Sequence, residues 1–308
     1  MIWLAAVILP ILFWQQGADT APELRKSGVT HIAVPPAAAA DWKTTGIVAE
    51  PLDLASTIKL PAPGVALRMD EASASHVPWV SSNGWRFLRQ PTAKFYYDKP
   101  SSPALAAAEA FTFGGQAFIR PAADSAESLT KMLDFLKTIN FDHAESINDI
   151  RFIDDRSALS GELMNLMVRD NLLFQIVHSR AADSKLTVQL GSKEYPTSTG
   201  SDANSLVHRI RTNLTDDKRR IRVFGTSVVI VRVTGGVDQP RVHLLNYGAP
   251  AHIRIGAFRI RILGRYSKSQ FHCFGTPNAQ LMDFNAQSDA TEFTVPSLNT
   301  YAVVDLAR

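Results

Sequence analysis

Cysteine is almost absent, since Cys273 stands alone in 308 residues. One thiol can form no intramolecular disulfide and no cysteine-based zinc cage, and it suits a reducing or an oxidising compartment equally. Its neighbours in FHCFG are apolar, which reads as a half-buried strand thiol rather than a nucleophile. Long hydrophobic runs are missing as well: no apolar stretch reaches the roughly 18 to 20 residues of a membrane-spanning helix, so no integral membrane segment is expected. There is little excess of charge of either sign, with 32 Lys and Arg against 29 Asp and Glu and a net charge of +3. The arginines from Arg209 to Arg265 lie on alternating, strand-like segments without interleaved aromatics. That pattern suits the solvated face of a sheet, and no nucleic-acid partner is expected.

Several reaction classes lose their signatures. There is no G-x-S-x-G elbow, no G-x-x-x-x-G-K-[ST] phosphate loop, no G-x-G-x-x-G and no H-E-x-x-H. His143 begins an H-x-E spacing, but the cysteine pair of a zinc deaminase does not follow it. The 8 histidines are dispersed, with no two at the i, i+4 spacing of a helical zinc site. No cofactor and no metal is expected.

What is present is an ordinary globular composition, 45% hydrophobic and 20% charged, in a chain long enough for more than one core. The chain opens MIWLAAVILPILFWQQG. Residues Ile2 to Trp14 match the apolar core of a signal peptide, yet no basic residue precedes them and no small-x-small cleavage site follows closely. Export to the periplasm or beyond is one expectation. The other is that ILFWQQ is the first strand of a fold, because strand–helix–strand texture follows directly. Thr20 and Glu23 have capping-box spacing, Gly28 sits where a helix would stop, and THIAVPP reads as a buried strand. AAAADWKTTG reads as a second helix and IVAEPL as a third strand.

From Ser56 to Pro100 a long connection through Trp79, Asn83 and Trp85 joins the expected strands GVALRMD and KFYYD; connections of that length tend to carry function. SSPALAAAEAFTFGG is then a helix capped by Ser102, QAFIRP a strand, and SAESLTKMLDFLKTI an amphipathic helix. A second unit runs through IRFID, SALSGELMNLMVRDN, LLFQIV, LTVQLG, DANSLVHRIRTNL and IRVFG. After Gly225 helical periodicity gives way to short alternating runs such as SVVIVRVTG and FRIRILG, the texture of an antiparallel sandwich. The expected division is 1–142, 148–225 and 226–308.

The order of these parts, with RVHLLNYG and FTVPSLNTYAVVDL as tail strands and ALAAAEAFTFGGQAF as a barrel helix feeding a strand, resembles glycoside hydrolases of the β-galactosidase type. The resemblance implies a (β/α) barrel, a flavodoxin-like domain used for trimerisation and a small C-terminal β-sandwich. A homo-oligomer and a carbohydrate partner follow from it. A full barrel takes at least about 200 residues, so the fold class expected here is a shortened or degenerate (β/α) barrel-like domain followed by the flavodoxin-like and sandwich domains. The family's Asn-Glu pair occurs nowhere in this chain, so its catalytic residues are not carried over and hydrolytic activity is left open.

Glycoside hydrolysis needs two carboxyl groups about 5 to 5.5 Å apart for retention or about 6.5 to 9.5 Å apart for inversion. Asp70, Glu71 and Asp98 follow expected strands, on the correct edge of a β/α layer, and are the candidate catalytic residues; ordinary loop solvation is the simpler account of them. Glu109 lies in an alanine-rich helix, where a helix surface or a local hydrogen bond explains it. Asp154 and Asp155 precede a helix, where negative charge is favoured without any catalysis. A pyranose has an apolar face and a polar rim. Trp14, Gln15 and Gln16, with Trp79, Asn83 and Trp85, supply the matching aromatic and amide groups and are the candidate sugar-binding residues. Two functions stand: a glycoside-hydrolase-like protein that binds or processes a carbohydrate, and a non-catalytic assembly protein.

Overall fold

Strand β1 (Ile11–Phe13) lies in the middle of a parallel sheet, hydrogen-bonded to β2 (His31–Val34) on one side and β8 (Gln116–Arg120) on the other. The computed structural model describes residues 9–66, 79–139, 145–179, 186–197, 202–251 and 255–308. The remaining strands of this first unit are β3 (Val48–Pro51), β4 (Ile58–Leu60), β5 (Gly64–Ala66), β6 (Trp79–Ser81) and β7 (Lys94–Asp98), and its helices are α1 (Ala21–Lys26), α2 (Gly84–Arg89), α3 (Pro103–Phe113) and α4 (Ala126–Thr138). Six strands pair in the order β3-β2-β1-β8-β7-β4, all parallel, while β5 and β6 form a separate antiparallel pair.

First and last strands are therefore neighbours, and the sheet's two edges are the consecutive strands β3 and β4. The link from Pro51 to Ile58 reaches at most about 25 Å, and a 3-10 turn at Leu54–Ser56 shortens it. A flat six-stranded sheet would separate its edges by about 24 Å laterally before any return to the start of β4. The sheet must curl. Its concave face holds a small cluster of Phe13, Ala33, Leu52, Tyr96 and Phe118, whereas Leu12, Ile32, Tyr97 and Ile119 face the helices.

The helices follow from local sequence. Ser102 accepts from the Leu105 N–H at 3.3 Å and Pro103 opens the first turn of α3. Every residue of α3 is buried, because its alanines let the sheet, α4, α2 and the C-terminal sandwich approach closely. Two expected helices differ. AAAADWKTTG forms a 3-10 helix at Pro36–Trp42, where the Thr45 hydroxyl takes the Trp42 carbonyl at 2.8 Å and ends the turn. Thr20 sits at the start of α1, but its hydroxyl makes no capping bond; it accepts from the Trp14 indole instead.

The second unit holds β9 (Ile150–Ile153), α5 (Ala158–Arg169), β10 (Phe174–Val177), β11 (Leu186–Gln189) and α6 (Ala203–Leu214), with three parallel strands in the order β10-β9-β11. Ile221–Phe224, read from sequence as the last strand of that unit, is β12 and pairs antiparallel with β15 (Phe258–Leu263). Its alternation, with Ile221 inward and Arg222 outward, suits a half-solvated sheet rather than a parallel one buried on both faces. Two four-stranded sheets make the sandwich: β12-β15-β18-β17, and β13-β14-β19-β16. The other ranges are β13 (Val229–Gly235), β14 (Pro240–Asn246), β16 (Lys268–Cys273), β17 (Met282–Ala286), β18 (Ala290–Val295) and β19 (Tyr301–Ala307). Phe258, Ile260 and Ile262 face its core, while Arg259 and Arg261 on the opposite face meet Glu292 and Asp289. Cys273 is buried in β16. One continuous core runs from Leu12 through Phe152 and Ile210 to Val303 and joins all three units. Among the described residues no helix is long and apolar enough to cross a membrane.

Candidate functional site

The C-terminal ends of parallel strands are where a β/α sheet presents side chains to its loops. Here β1 runs out into Trp14, Gln15 and Gln16, β7 ends in Asp98 and β8 ends in Arg120. Register brings the last two together, because Asp98 pairs with Arg120 across the β7–β8 ladder. The Arg120 Nε donates to Asp98 Oδ1 at 2.8 Å, its Nη2 donates to the same oxygen, and its Nη1 donates to Gln15 Oε1. Lys59 reaches Asp98 Oδ2 at 3.3 Å. Burial pushes the Asp98 carboxyl up, but hydrogen bonds and charge from Arg120 and Lys59 outweigh it and hold the group below the usual carboxylate range.

Above these strand ends lies a cavity of about 590 Å³ between α1 and α4, walled by Trp14, Gln15, Gln16, Glu23, Arg120 and Glu127. The Trp14 ring is fixed, since its Nε1–H donates to Thr20 Oγ1 at 2.9 Å and that hydroxyl donates to the Gly17 carbonyl at 2.7 Å. Glu127 pairs with Lys131 at 2.7 Å, which lowers its pKa. Of the three expected carboxylates, Asp98 is placed at this edge, whereas Asp70 and Glu71 lie outside the described residues.

Trp79, Asn83 and Trp85 do not join Trp14. They line a different cleft, of about 380 Å³, between α2 and α5. The Arg169 guanidinium stacks 3.3 Å from the Trp79 ring centre, and Arg86 lies 4.3 Å from that of Trp85. Trp85 reaches across to Gly161 of α5, where an added Cβ would stand 3.2 Å from the ring. Below, Arg89 grips Asp154 with Nε at 2.8 Å and Nη2 at 2.9 Å. Asp155 accepts from the Ser157 N–H at 2.9 Å and the Ser160 hydroxyl at 2.5 Å, as the reading of helix-start carboxylates expects.

Glu109 departs from expectation altogether. It is 0% exposed, and its bonds are long-range. Oε1 accepts from the Asn83 N–H at 2.6 Å, the Tyr247 hydroxyl at 2.7 Å and the Ser82 hydroxyl at 2.9 Å; Oε2 accepts from the Tyr97 hydroxyl at 2.7 Å and Asn83 Nδ2 at 3.3 Å. Burial raises its pKa while these donors pull it back, and burial beside Glu109 holds both tyrosines well above their ordinary range. One carboxyl thus ties α3, the β6–α2 turn and the end of β14 together. The sequence signal was a lone acidic residue among alanines, a charge that could only be buried with partners. Arg120 was also missed, although KFYYD and QAFIR, aligned as parallel neighbours, put its charge beside Asp98.

No protein-family model matches the sequence, and no curated protein matches it. Among solved structures, an alpha-L-fucosidase isoenzyme 2 from Paenibacillus thiaminolyticus is similar at a TM-score of 0.51 and 10% identity, over 82% of this chain and 65% of that one. The fold is like that of this fucosidase. An alpha-amylase from Geobacillus thermoleovorans, complexed with acarbose, aligns at a TM-score of 0.28 and 9% identity over 97% of this chain and 98% of that one. A GH30 endoxylanase from Clostridium papyrosolvens aligns at 0.24 and 8% over 98% and 97%. What the likeness carries is an α/β unit with a parallel sheet followed by antiparallel sheets; the β-galactosidase type in particular does not come with it. Within this fold the cleft over β1 and β8 occupies the strand-end position.

Proposed function

We propose that the protein binds a carbohydrate at the C-terminal edge of a shortened (β/α) barrel and does not hydrolyse it there. The observation that carries the reading is the cavity of about 590 Å³ in which Trp14, with its ring fixed, stands beside Gln15 and Gln16. Its size lies within the range of small-ligand sites, and the aromatic and amide groups suit the face and rim of a pyranose. Hydrolysis needs one carboxyl group that still holds a proton to give to the leaving oxygen. Of the carboxyl groups there, Asp98 and Glu127 are held ionised by cations, which suits these two to electrostatic positioning and not to acid catalysis. The flavodoxin-like and β-galactosidase-type assignments remain part of this proposal, on the order of the units.

The test is a carbohydrate panel read both for thermal shift and for reducing-end release. A shift without release, lost in Trp14→Ala, is the expected result. Release that disappears on Asp98→Asn overturns the non-hydrolytic reading. A second reading, association with another chain, draws on the sheet edges: Val48 of β3 is 65% exposed and Ile58 of β4 is 37% exposed. It predicts an oligomer in sedimentation and silence across the panel.

A further inference from the structure

The Arg86 guanidinium makes no hydrogen bond or ion pair among the described residues, and the Glu109 charge acts on it without direct contact. Its Nε is shielded from solvent without a partner, and the contact its guanidinium makes is with the face of Trp85, in the wall of the α2–α5 cleft. A shielded guanidinium Nε–H with no acceptor is costly. The same wall contains the satisfied version of the arrangement, Arg89 with the Asp154 carboxylate held by two parallel N–H bonds. Opposite demands sit beside Arg86. Asn83 is 1% exposed, and its Nδ2 donates to the Pro61 carbonyl at 3.0 Å, which fixes the amide orientation and leaves Oδ1 without a donor. Asn165 Oδ1, across the cleft on α5, also lacks one.

A simple anion could satisfy Arg86 and would leave both amide oxygens unmet. A neutral sugar could satisfy the amide oxygens with its hydroxyls and would leave the guanidinium with no anion in direct contact, since Glu109 acts on it only from a distance. We propose that this cleft is a second binding site, selective for a sugar acid, a hydroxylated ring carrying a carboxylate. The proposal takes from the carbohydrate reading its ligand class and nothing of its location. The carboxylate lies against Arg86, the hydroxyls donate to Asn83 and Asn165, and Trp79 and Trp85 flank the ring. The cleft, at about 380 Å³, has room for one such ring. Glu162 stands at the exposed rim, where solvent screens its charge.

Calorimetric titration of the full chain with D-glucuronate, D-glucose and acetate tests it. Glucuronate binds at least about tenfold tighter than either control, as a charge-assisted, two-pronged contact gives. Arg86→Gln brings glucuronate down to the level of glucose without lowering the unliganded Tm, because the guanidinium's one close contact is the face of its chain neighbour Trp85. A lowered Tm would mark Arg86 as structural and overturn the assignment. So would equal binding of glucuronate and glucose, acetate binding as tightly as glucuronate, glucuronate binding unchanged in Arg86→Gln, or no glucuronate binding at all. The two sites fail separately. Glucuronate binding lost in Trp14→Ala and kept in Arg86→Gln puts the ligand at the sheet edge and sinks this inference alone. Arg86-dependent glucuronate binding with a silent neutral panel sinks the sheet-edge reading alone.

Discussion

Replacing Glu109 with alanine removes the acceptor for five hydrogen bonds at a fully buried position. Some donors keep a partner: Asn83 Nδ2 still reaches the Pro61 carbonyl, and the Ser82 and Tyr247 hydroxyls still face each other at 2.9 Å. The Asn83 N–H, the Tyr97 hydroxyl and one hydrogen of the Ser82–Tyr247 pair are stranded. At about 1 to 3 kcal/mol for each stranded donor, less the relief of a carboxylate no longer desolvated, the expected loss is about 4 kcal/mol. With a urea m-value of about 3 kcal/mol/M, the unfolding midpoint falls by about 1.3 M. Tryptophan fluorescence and far-UV circular dichroism should move together, because one core spans the units. Glu109→Gln keeps one acceptor oxygen, turns an NH₂ toward donors, and costs about 2 kcal/mol. Its pH dependence is the sharper check. Burial raises the Glu109 pKa above its unfolded 4.5, so its contribution is fully present below that pH and is lost as pH rises through the folded value. The stability gap between wild type and Glu109→Gln therefore narrows with rising pH. A Glu109→Ala midpoint within about 0.3 M of wild type, or a pH-independent gap, would refute the reasoning.

Asp98 predicts the opposite sign. Its pKa is lowered from 3.8, so Asp98→Asn should cost about 1 kcal/mol near neutral pH, and the difference should vanish as pH falls through the folded pKa; a cost that persists in acid denies the ion pair its role. Gly115→Ala sets a Cβ 2.1 Å from Phe87, whose ring is 1% exposed. Overpacking of that kind costs about 3 kcal/mol, and a Tm unchanged from wild type would show that Phe87 has room to yield.

The strands were legible where their pattern is local. ILFWQQ, THIAVPP, KFYYD and QAFIRP alternate or run apolar between turn residues, and each forms a strand of the parallel sheet. Ser102 before Pro103 announced α3 for the same reason. Partnership was less legible, because it is set by what lies across space. IRVFG is a strand in either unit, and pairing with Phe258–Leu263 decides which. The capping-box pattern of Thr20 was real, but a tryptophan six residues earlier competed for the hydroxyl. The grouping of Trp14 with Trp79 and Trp85 failed as a single constellation because the chain between them turns through β5, β6 and α2 and delivers the latter two to α5. Glu109 was the least legible, since three of its four partner residues, Ser82, Asn83 and Tyr247, lie 26 to 138 positions away.

Six strands enclose less than eight, and the consequences bear on where the proposed binding would occur. The concave face of the sheet is filled by five buried side chains, which suits the proposed site to the rim rather than the middle. There the short α1, only six residues long, leaves a gap beside α4 that a longer helix would close. On the other flank, the β6–α2 turn is held by Glu109 against the sandwich and cannot fold back over the sheet, so Trp79 and Trp85 meet α5 instead. The two clefts are thus products of the same economy of strands and helices, one beside a helix that packs over a single turn through Ala21 and Leu24 and one beside a turn anchored away from the strand ends.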